Sequence, residues 1–470
     1  MRTNYYALAR RTVTVDAGHL EGPVELWRHS IGHGAVNSQP LPPRVSQGLK
    51  KLKPKLVRVF LQEYFNVYPD HGVFDWSKLD PYMDSFVDCG AQVIATINFK
   101  PPVLYPTIDQ NVWEPNNVLE YQELIYQVVK RYSVDKPIVT HWEHANETDQ
   151  GEDGGCPFYM PDAESNFQFY TMILDPILRA FPEARVGGPA IAHCERPMLR
   201  DFIRLCHKNK TRLDFVSWHC YNSVPENFQT QVQQVRELLG CYQENPPELM
   251  LDELNTGFDS DDQVGQGWAS LVSVDEMSRD PKRSAFLAAN LLGLLESGVA
   301  WTHYFSLWDN CLFPQEFNSF YSQTGIRDVM YRHWNEAGHR FGLFSESLVV
   351  RPQYFVYFML SKMGHQKLRS LVEDPDLKAL ATEGGGNLSV LVVNFNKQTG
   401  QDKVVTIRWR GLIPGHRKLT LWRIDAEGRW DNAALELIPV ESRMVSTLEE
   451  FSYQFHSPEN SVTLMMLEPC

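Results

Sequence analysis

This 470-residue chain lacks the features that mark several common classes of protein. Its eight cysteines form no Cys-x-x-Cys pair, which argues against a structural zinc site and against a small disulfide-bonded scaffold. It has no apolar run of about 18 residues, the length that a membrane-spanning helix needs, and its N-terminal stretch lacks the apolar core of a signal peptide. We therefore expect no membrane partner and a cytoplasmic protein, or a secreted one if a signal peptide has been removed.

The chain also lacks an excess of positive charge. Its 44 Lys and Arg residues stand against 58 Asp and Glu residues, which gives a formal net charge of −14. A surface that binds nucleic acid normally needs basic residues to displace counterions from phosphates, so we expect no nucleic-acid partner. A neutral ligand fits this composition better than a polyanion does.

What the chain does have is an alternation of short apolar or β-branched runs with longer stretches of helical periodicity, from residue 25 to about residue 308. This alternation is typical of βα units around a parallel sheet. Leu119, Leu124, Ile125 and Val128 recur at helical spacing, so we expect them on the face that packs on the sheet. The runs predicted as strands are Leu26 to Gly32, Leu56 to Phe60, Ala91 to Asn98, Ile138 to His144, Arg185 to Ala190, Phe215 to Tyr221, Glu248 to Glu253 and Val299 to Leu307.

Eight strands are the number that closes a (β/α)₈ TIM barrel. After a predicted helix from Tyr354 to Met363 the pattern changes to alternating apolar and polar residues, which is typical of half-buried antiparallel strands and predicts an accessory β-sandwich. The stretch Thr12-Val-Thr-Val-Asp16 also alternates and is expected to join that sandwich. The predicted tail strands are Leu388 to Phe395, Lys403 to Trp409, Lys418 to Ile424 and Ser461 to Leu467. The predicted units are an N-terminal strand in 1–18, the barrel in 19–366 and the sandwich in 367–470.

Two glutamates stand at the ends of two predicted strands. Glu147 ends strand four, and Glu253 ends strand seven. In a βα barrel these strand ends meet at one face, so side chains from opposite arcs can share a centre. Two carboxyl groups can protonate a leaving oxygen and attack an anomeric carbon without any cofactor. Either Glu taken singly is more often a surface charge, but the pair in this order predicts a glycosidase.

The motifs around the two glutamates resemble those of a known group of enzymes. Trp142-Glu-His-Ala-Asn-Glu147 is similar to the acid/base strand of clan A retaining glycosidases. Leu251-Asp-Glu-Leu-Asn-Thr256 is similar to the nucleophile strand of glycoside hydrolase family 39, which includes β-xylosidases and iduronidases. The similarity extends to Asp214-Phe-Val-Ser-Trp-His-Cys-Tyr221 on strand six and to Tyr304-Phe-Ser-Leu-Trp-Asp309 on strand eight.

The resemblance implies that Glu147 is the acid/base, Glu253 the nucleophile and Asn146 a hydrogen-bond partner of the sugar 2-hydroxyl. The reaction would be a double displacement with retention, for which the two carboxyl groups should lie roughly 5 to 5.5 Å apart. We expect burial and mutual repulsion to raise the pKa of Glu147. Two positions depart from the family pattern, because Thr148 stands in place of a proline and Ala145 in place of a tryptophan.

Six more residues are candidates for contact with the substrate or the carboxylates: Arg58, His219, Tyr221, Trp308, His33 and Asn98. Arg58 on strand two would keep the nucleophile ionised, or else form a buried ion pair. His219 and Tyr221 would orient Glu253 or touch the substrate, although His219 could equally be a core histidine. Trp308 would form the floor of the subsite for the cleaved sugar, or plug the barrel as a core aromatic.

We predict from these residues a retaining, exo-acting glycosidase of the β-xylosidase or arabinosidase type. Its substrate would be an oligosaccharide or glycoside, with no cofactor or metal, and the sequence leaves the oligomeric state open. An endo-acting glycan hydrolase and a non-catalytic carbohydrate-binding barrel are alternatives on the same fold. A metal-dependent hydrolase is a third, although His141 and His144 should point to opposite faces of their strand. Its candidate ligands are His141, His144, His193, His207 and His219.

Overall fold

The computed structural model describes residues 8–256, 281–336, 341–396 and 400–470. Eight parallel strands close into a barrel in chain order, as the sequence predicts. Preceded by β1 (Ala9–Pro23), the barrel strands are β2 (His29–His33), β3 (Leu56–Leu61), β4 (Gln92–Ile97), β5 (Val139–His144), β6 (Arg185–Ile191), β7 (Phe215–Tyr221), β8 (Glu248–Asn255) and β9 (Trp301–Phe305).

The predicted strands match the observed ones closely, and the differences lie at their ends. Leu26–Arg28 forms a short 3₁₀ turn, so the first barrel strand begins at His29. The predicted helical face also has one error, because Leu119 is 78% exposed whereas Leu124 and Val128 are fully buried. Leu119 lies in the first turn of its helix, before the segment that packs on the barrel.

Helices between the strands cover the outside of the barrel. Two of their starts are visible in the sequence, since the side chains of Asn117 and Asp162 accept hydrogen bonds from backbone amides of the first turn. The α-helices in the described part of the chain are α1 (Pro43–Leu52), α2 (Leu79–Val87), α3 (Val118–Val129), α4 (Ala163–Ala180), α5 (Pro197–Lys208), α6 (Pro225–Leu238), α7 (Pro281–Ser297), α8 (Pro314–Phe317) and α9 (Pro352–Leu360). None of them is both long enough and apolar enough to cross a membrane.

The C-terminal part forms a nine-stranded sheet in which β1 lies between β10 and β13. Residues from both ends of this strand order share one apolar core, so the sheet folds over on itself like a sandwich. The other strands of this sheet are β10 (Gln366–Val372), β11 (Leu377–Gly384), β12 (Asn387–Asn394), β13 (Lys403–Arg410), β14 (Gly415–Ile424), β17 (Glu441–Thr447), β18 (Phe451–Ser457) and β19 (Ser461–Pro469). A separate two-stranded sheet consists of β15 (Trp430–Asp431) and β16 (Glu436–Leu437). The division at residues 18 and 366 stays a prediction.

Candidate active site

The two glutamates singled out from the sequence meet at the carboxyl ends of the barrel strands. Glu147 follows β5, and Glu253 lies near the end of β8. One carboxylate oxygen of each lies within 4.8 Å of the other and of a ring nitrogen of His219 on β7. Three strands therefore deliver two carboxyl groups and an imidazole to one point.

The backbone at Glu147 is held in an uncommon conformation. Glu147 has φ = 44° and Ala145 has φ = 49°, which places two residues with side chains in the left-handed region. The Glu147 amide donates to the carbonyl of Ala190 on β6 at 2.8 Å, which fixes the turn. The neighbouring loop approaches so closely that a Cβ on Gly154 would lie 2.3 Å from the Glu147 carboxylate. Such locally strained backbone commonly marks functional positions.

The Glu147 carboxyl group is shielded from water and lies against His219. Its side chain is 13% exposed, and its Oε1 is 2.6 Å from His219 Nδ1. Burial, with repulsion from Asp149 as the next cause, raises the pKa of Glu147 to about 8. The raised pKa agrees with the sequence-based expectation, but the repelling charge belongs to Asp149 instead of Glu253. Burial also lowers the pKa of His219 to about 4, so the imidazole is neutral near pH 7.

Glu253 accepts hydrogen bonds at both oxygens. Arg58 Nη1 donates to Oε1 at 2.8 Å, and the Tyr221 hydroxyl donates to Oε2 at 2.7 Å. His219 Nδ1 lies 3.5 Å from Oε2. Glu253 is thus held by donors at both oxygens, whereas burial favours the protonated form of Glu147.

Arg58 on β3 is the centre of the buried charge network. Its Nε lies 2.7 Å from Glu143 and 3.0 Å from Asp252, and its Nη2 donates to Asn146 Oδ1 at 2.9 Å. The guanidinium group is 1% exposed. Burial alone would lower the pKa of Arg58, but the charges of Asp252, Glu143 and Glu253 outweigh it and hold the pKa above its ordinary value. The planar fork of arginine suits it to binding several oxygen groups at once.

A β-bulge explains how Asp252 and Glu253, adjacent in sequence, both reach Arg58. Trp218 of β7 is opposite Leu251, but the next residue, His219, is opposite Glu253, so Asp252 is the extra residue of the bulge. Consecutive residues of a regular strand point to opposite faces, and a bulge breaks that alternation. The bulge therefore adds a second carboxyl group to the barrel interior beside Glu253.

No described contact joins two of the other predicted site residues, His33 and Trp308, to the carboxylate pair. The His33 ring packs against Tyr82 and Phe86 of α2 at centroid distances of 6.2 Å, and it stacks near Trp308 at 6.1 Å. Asn98 lies closer to the centre, because its Oδ1 accepts from the Asn146 backbone amide at 3.1 Å. The site residues predicted on strands two, four, six and seven therefore contact one another, whereas no described contact joins those on strands one and eight to the carboxylate pair.

The sequence reasoning missed four residues of this centre. They are Thr96, Glu143, Asp252 and Phe305. Thr96 donates to Glu143 at 2.6 Å, and the Phe305 ring lies edge-on to Tyr221 at 6.4 Å. Glu143 could have been found, because it shares its strand face with the interior position His141 two residues earlier. Asp252 could not, since no local pattern marks its bulge.

The histidines of the metal hypothesis are dispersed. His141 packs on Phe215 and Trp301, whereas His144, on the other face of β5, packs on Phe169 of α4 and bonds Asn166. His207 contacts Tyr242, and His193 pairs with Glu195. Of the five histidines, His219 is the one that shares a centre with the two carboxylates, and its Nδ1 already contacts Glu147.

Comparisons with known proteins agree with this architecture. A β-xylosidase from Geobacillus stearothermophilus is 25% identical over 273 residues, which cover 52% of this chain and 52% of that protein. The match thus spans about half the length of that relative. A crystal structure of a GH39 enzyme from Xanthomonas axonopodis pv. citri has a TM-score of 0.77, 16% identity and coverage of 100% of both chains. A monomeric β-xylosidase structure from Caulobacter crescentus CB15 has a TM-score of 0.75 and 18% identity, with 98% of this chain and 99% of that chain covered. The family model for glycosyl hydrolases family 39 matches residues 13–427, and the chain belongs to that family.

Proposed function

We propose that this protein is a retaining, exo-acting glycoside hydrolase. The observation that carries the proposal is the approach of the Glu147 and Glu253 carboxylate oxygens to within 4.8 Å. Retaining glycosidases hold their carboxyl groups about 5 to 5.5 Å apart, whereas inverting enzymes leave about 6.5 to 9.5 Å for a water molecule. The contacts of each carboxyl group then assign its role.

Glu253 is the nucleophile in this proposal. As a carboxylate held by Arg58 and Tyr221, it attacks the anomeric carbon, and the bond from that carbon to the leaving oxygen breaks. Glu147 gives its proton to the leaving oxygen in the same step. A water molecule then gives a proton to Glu147 and attacks the anomeric carbon, which releases Glu253 and the sugar with its original configuration.

Asn146 is suited to bind the sugar 2-hydroxyl. Hydrogen bonds at both ends hold its side-chain amide in place beside Glu147. Its Oδ1 accepts from Arg58 at 2.9 Å, and its Nδ2 donates to the Gly154 carbonyl at 3.1 Å. Asn98 fixes its backbone. Phe305, beside Tyr221, supplies an apolar face near the same position. An aromatic face of this kind suits the C–H face of a pyranose ring, a role that the sequence predicts for Trp308.

Exo action is favoured by the way the loops after the strands are tied together. Lys100 Nζ, after β4, donates to the carbonyls of Asp109 and Pro157 at 2.8 Å. Glu152, in the loop after β5, accepts from the Ser322 backbone amide at 2.8 Å. These ties connect the loops that follow β4, β5 and β9, and we expect the connected loops to form a wall beside the carboxylates. A wall of this kind favours a pocket that takes a chain end.

The substrate class that we propose is a β-xyloside or an arabinoside. Two curated relatives, from Geobacillus stearothermophilus and Caldicellulosiruptor saccharolyticus, are β-xylosidases. Among the described residues, Arg58 is the arginine that contacts Glu253, and it is already bound to Glu143 and Asn146 as well. This arginine is therefore not available for the carboxylate of a uronide, which favours a neutral sugar.

The direct test compares wild type, Glu253→Gln and a matched control on aryl pentosides, hexosides and uronides. The control is Glu248→Gln, at the opposite end of β8, where the side chain pairs with Arg185 and is 38% exposed. We expect release of the aryl group from one pentoside class, a loss of about 10³-fold or more in Glu253→Gln and unchanged turnover in the control. Hydrolysis that survives in Glu253→Gln would refute the proposal, and turnover of internal polysaccharide bonds alone would favour the endo-acting alternative.

A further inference from the structure

Asp252 is a buried carboxyl group that the hydrolysis steps above do not use. It is 0% exposed, and the bulge in β8 turns it into the barrel beside Glu253. Its Oδ2 lies 3.0 Å from Arg58 Nε, and its Oδ1 lies 3.6 Å from His219 Nε2. With every carboxyl group ionised, both Asp252 oxygens, His219 Nε2 and Glu143 Oε1 lack a hydrogen-bond partner among the described residues. A buried polar atom left in that state is unfavourable, because it has lost its hydrogen bonds to water and gained none in the protein.

The charges around Arg58 do not balance if every carboxyl group is ionised. Arg58 contributes one positive charge, whereas Glu143, Asp252 and Glu253 would contribute three negative charges within salt-bridge distance of it. Two excess negative charges in a site shielded from water are strongly unfavourable, because a buried charge is tolerated only when paired. One proton shared within this group leaves a single net negative charge, which is what a carboxylate nucleophile requires.

We propose that Asp252 is a protonated carboxylic acid and a positioning residue that joins Glu143 to His219 and so orients the acid proton of Glu147. Asp252 donates its O–H to Glu143 and accepts the Nε2–H of His219. His219 is then the neutral Nε2–H tautomer, and its Nδ1 accepts the O–H of Glu147 at the 2.6 Å contact. The 3.6 Å separation of His219 Nε2 and Asp252 Oδ1 needs a shift of about half an ångström to become a hydrogen bond.

The titration of the surrounding groups agrees with this arrangement. Burial, with the negative charges of Glu143 and Glu253, raises the pKa of Asp252 well above its ordinary range. Burial alone would raise the pKa of Glu143, but Arg58 and hydrogen bonds from Asp252 and Thr96 lower it to about 2. Burial lowers the pKa of His219 to about 4 and that of His303, which faces the same network from β9, to about 3.

The first test exchanges each carboxyl group for its amide. This inference rests on the proposed function only where activity is the readout. Asn is a close copy of a protonated Asp, so Asp252→Asn should lose far less kcat/KM than Glu143→Gln and should keep the alkaline limb of the pH profile where wild type has it. Glu143→Gln, the matched change at the ionised partner, should lose about a hundredfold or more, since it breaks a buried pair. Equal large losses in both variants would show that Asp252 is ionised and would overturn the inference.

A second variant tests the orientation of His219. Asp252→Leu removes the acceptor for Nε2–H, so the tautomer with the proton on Nδ1 becomes favourable and donates to the Glu147 carboxylate. The pKa of Glu147 should fall, and the alkaline limb of kcat/KM should move about one unit to lower pH. An unmoved limb in a folded Asp252→Leu variant would contradict the link.

Infrared spectroscopy tests the proton itself without any substrate. Glu147→Gln removes the other proposed acid, and the difference spectrum between Glu147→Gln and Glu147→Gln/Asp252→Asn isolates Asp252. We expect a protonated-carboxyl C=O band at pH 7 that is present in the first protein and absent in the second. A carboxylate band in its place would overturn the inference even if the protein hydrolyses glycosides as proposed, and the expected band would support it even if no substrate were found.

Discussion

The raised pKa of Glu147, the proposed catalytic acid, should measurably lower the stability of the folded protein. Burial holds the folded-state pKa at about 8, above the ordinary 4.5 of a glutamate. Below pH 4.5 both the folded and the unfolded chain carry the proton, so the ionisation of Glu147 does not lower the free energy of unfolding. Between pH 4.5 and 8 the unfolded chain releases the proton more readily, so stability falls as pH rises, and above pH 8 the full cost remains.

The size of this cost follows from the pKa difference. At 1.36 kcal/mol per unit, a shift from 4.5 to about 8 corresponds to roughly 5 kcal/mol as an upper bound. Unfolding entropy of about 2.1 cal/mol/K per residue gives a chain of 470 residues about 1 kcal/mol per degree near Tm. Glu147→Gln, which cannot ionise, should therefore gain up to about 5 °C in Tm over wild type at pH 9, and little or nothing at pH 4.5.

Thermal unfolding followed by circular dichroism at several pH values between 4.5 and 9 checks this prediction. The comparison is the Tm of Glu147→Gln minus that of wild type, because the titration of all other groups cancels in the difference. Glu183→Gln, an exposed position, controls for the loss of one negative charge. A Tm difference for Glu147→Gln that is flat across this pH range would refute the reasoning about burial.

Two further predictions concern the residues that hold the carboxyl groups in place. Arg58→Lys should lose about 3 to 5 kcal/mol of stability and about a hundredfold or more in kcat/KM, because an ammonium group cannot bind all three of its oxygen partners; melting curves and initial rates measure both. Gly154→Ala should lose about tenfold or more in kcat, since its Cβ would lie 2.3 Å from the Glu147 carboxylate, whereas Gly240→Ala, with no atom within 4 Å, should leave kcat unchanged.

The fold was predictable because the period of the apolar residues changes visibly along the chain. Buried parallel strands such as Leu56–Leu61 are apolar on both faces apart from Arg58, whereas tail strands such as Lys403–Arg410 alternate. Strand ends were less predictable, as His29 shows, because the 3₁₀ turn before it begins with the apolar residues Leu26 and Trp27. Tail strands β10, β11, β17 and β18 were missed, since several mix polar residues into their buried faces.

The site was predictable where chemistry and strand position coincide. The structure gathers five of the predicted residues at one centre. Four of them lie at or near the carboxyl ends of their strands, namely Glu147, His219, Tyr221 and Glu253. The fifth, Arg58, lies in the middle of β3 and reaches the centre with its long side chain. Side-chain direction at irregular backbone was not predictable, because strand alternation assigns neighbouring residues to opposite faces until a bulge reverses one of them. For this reason the acid next to Glu253 escaped sequence reasoning.

The central claim is that Glu253 is the nucleophile of a retaining glycosidase, and trapping the covalent intermediate tests it most directly. Incubation with an activated 2-deoxy-2-fluoro pentoside, followed by intact mass and peptide mapping, reports which residue carries the sugar. The account predicts one added glycosyl group per chain, on Glu253, and no addition in Glu253→Gln. A label on Glu147, or hydrolysis with inversion of the anomeric centre, would contradict it.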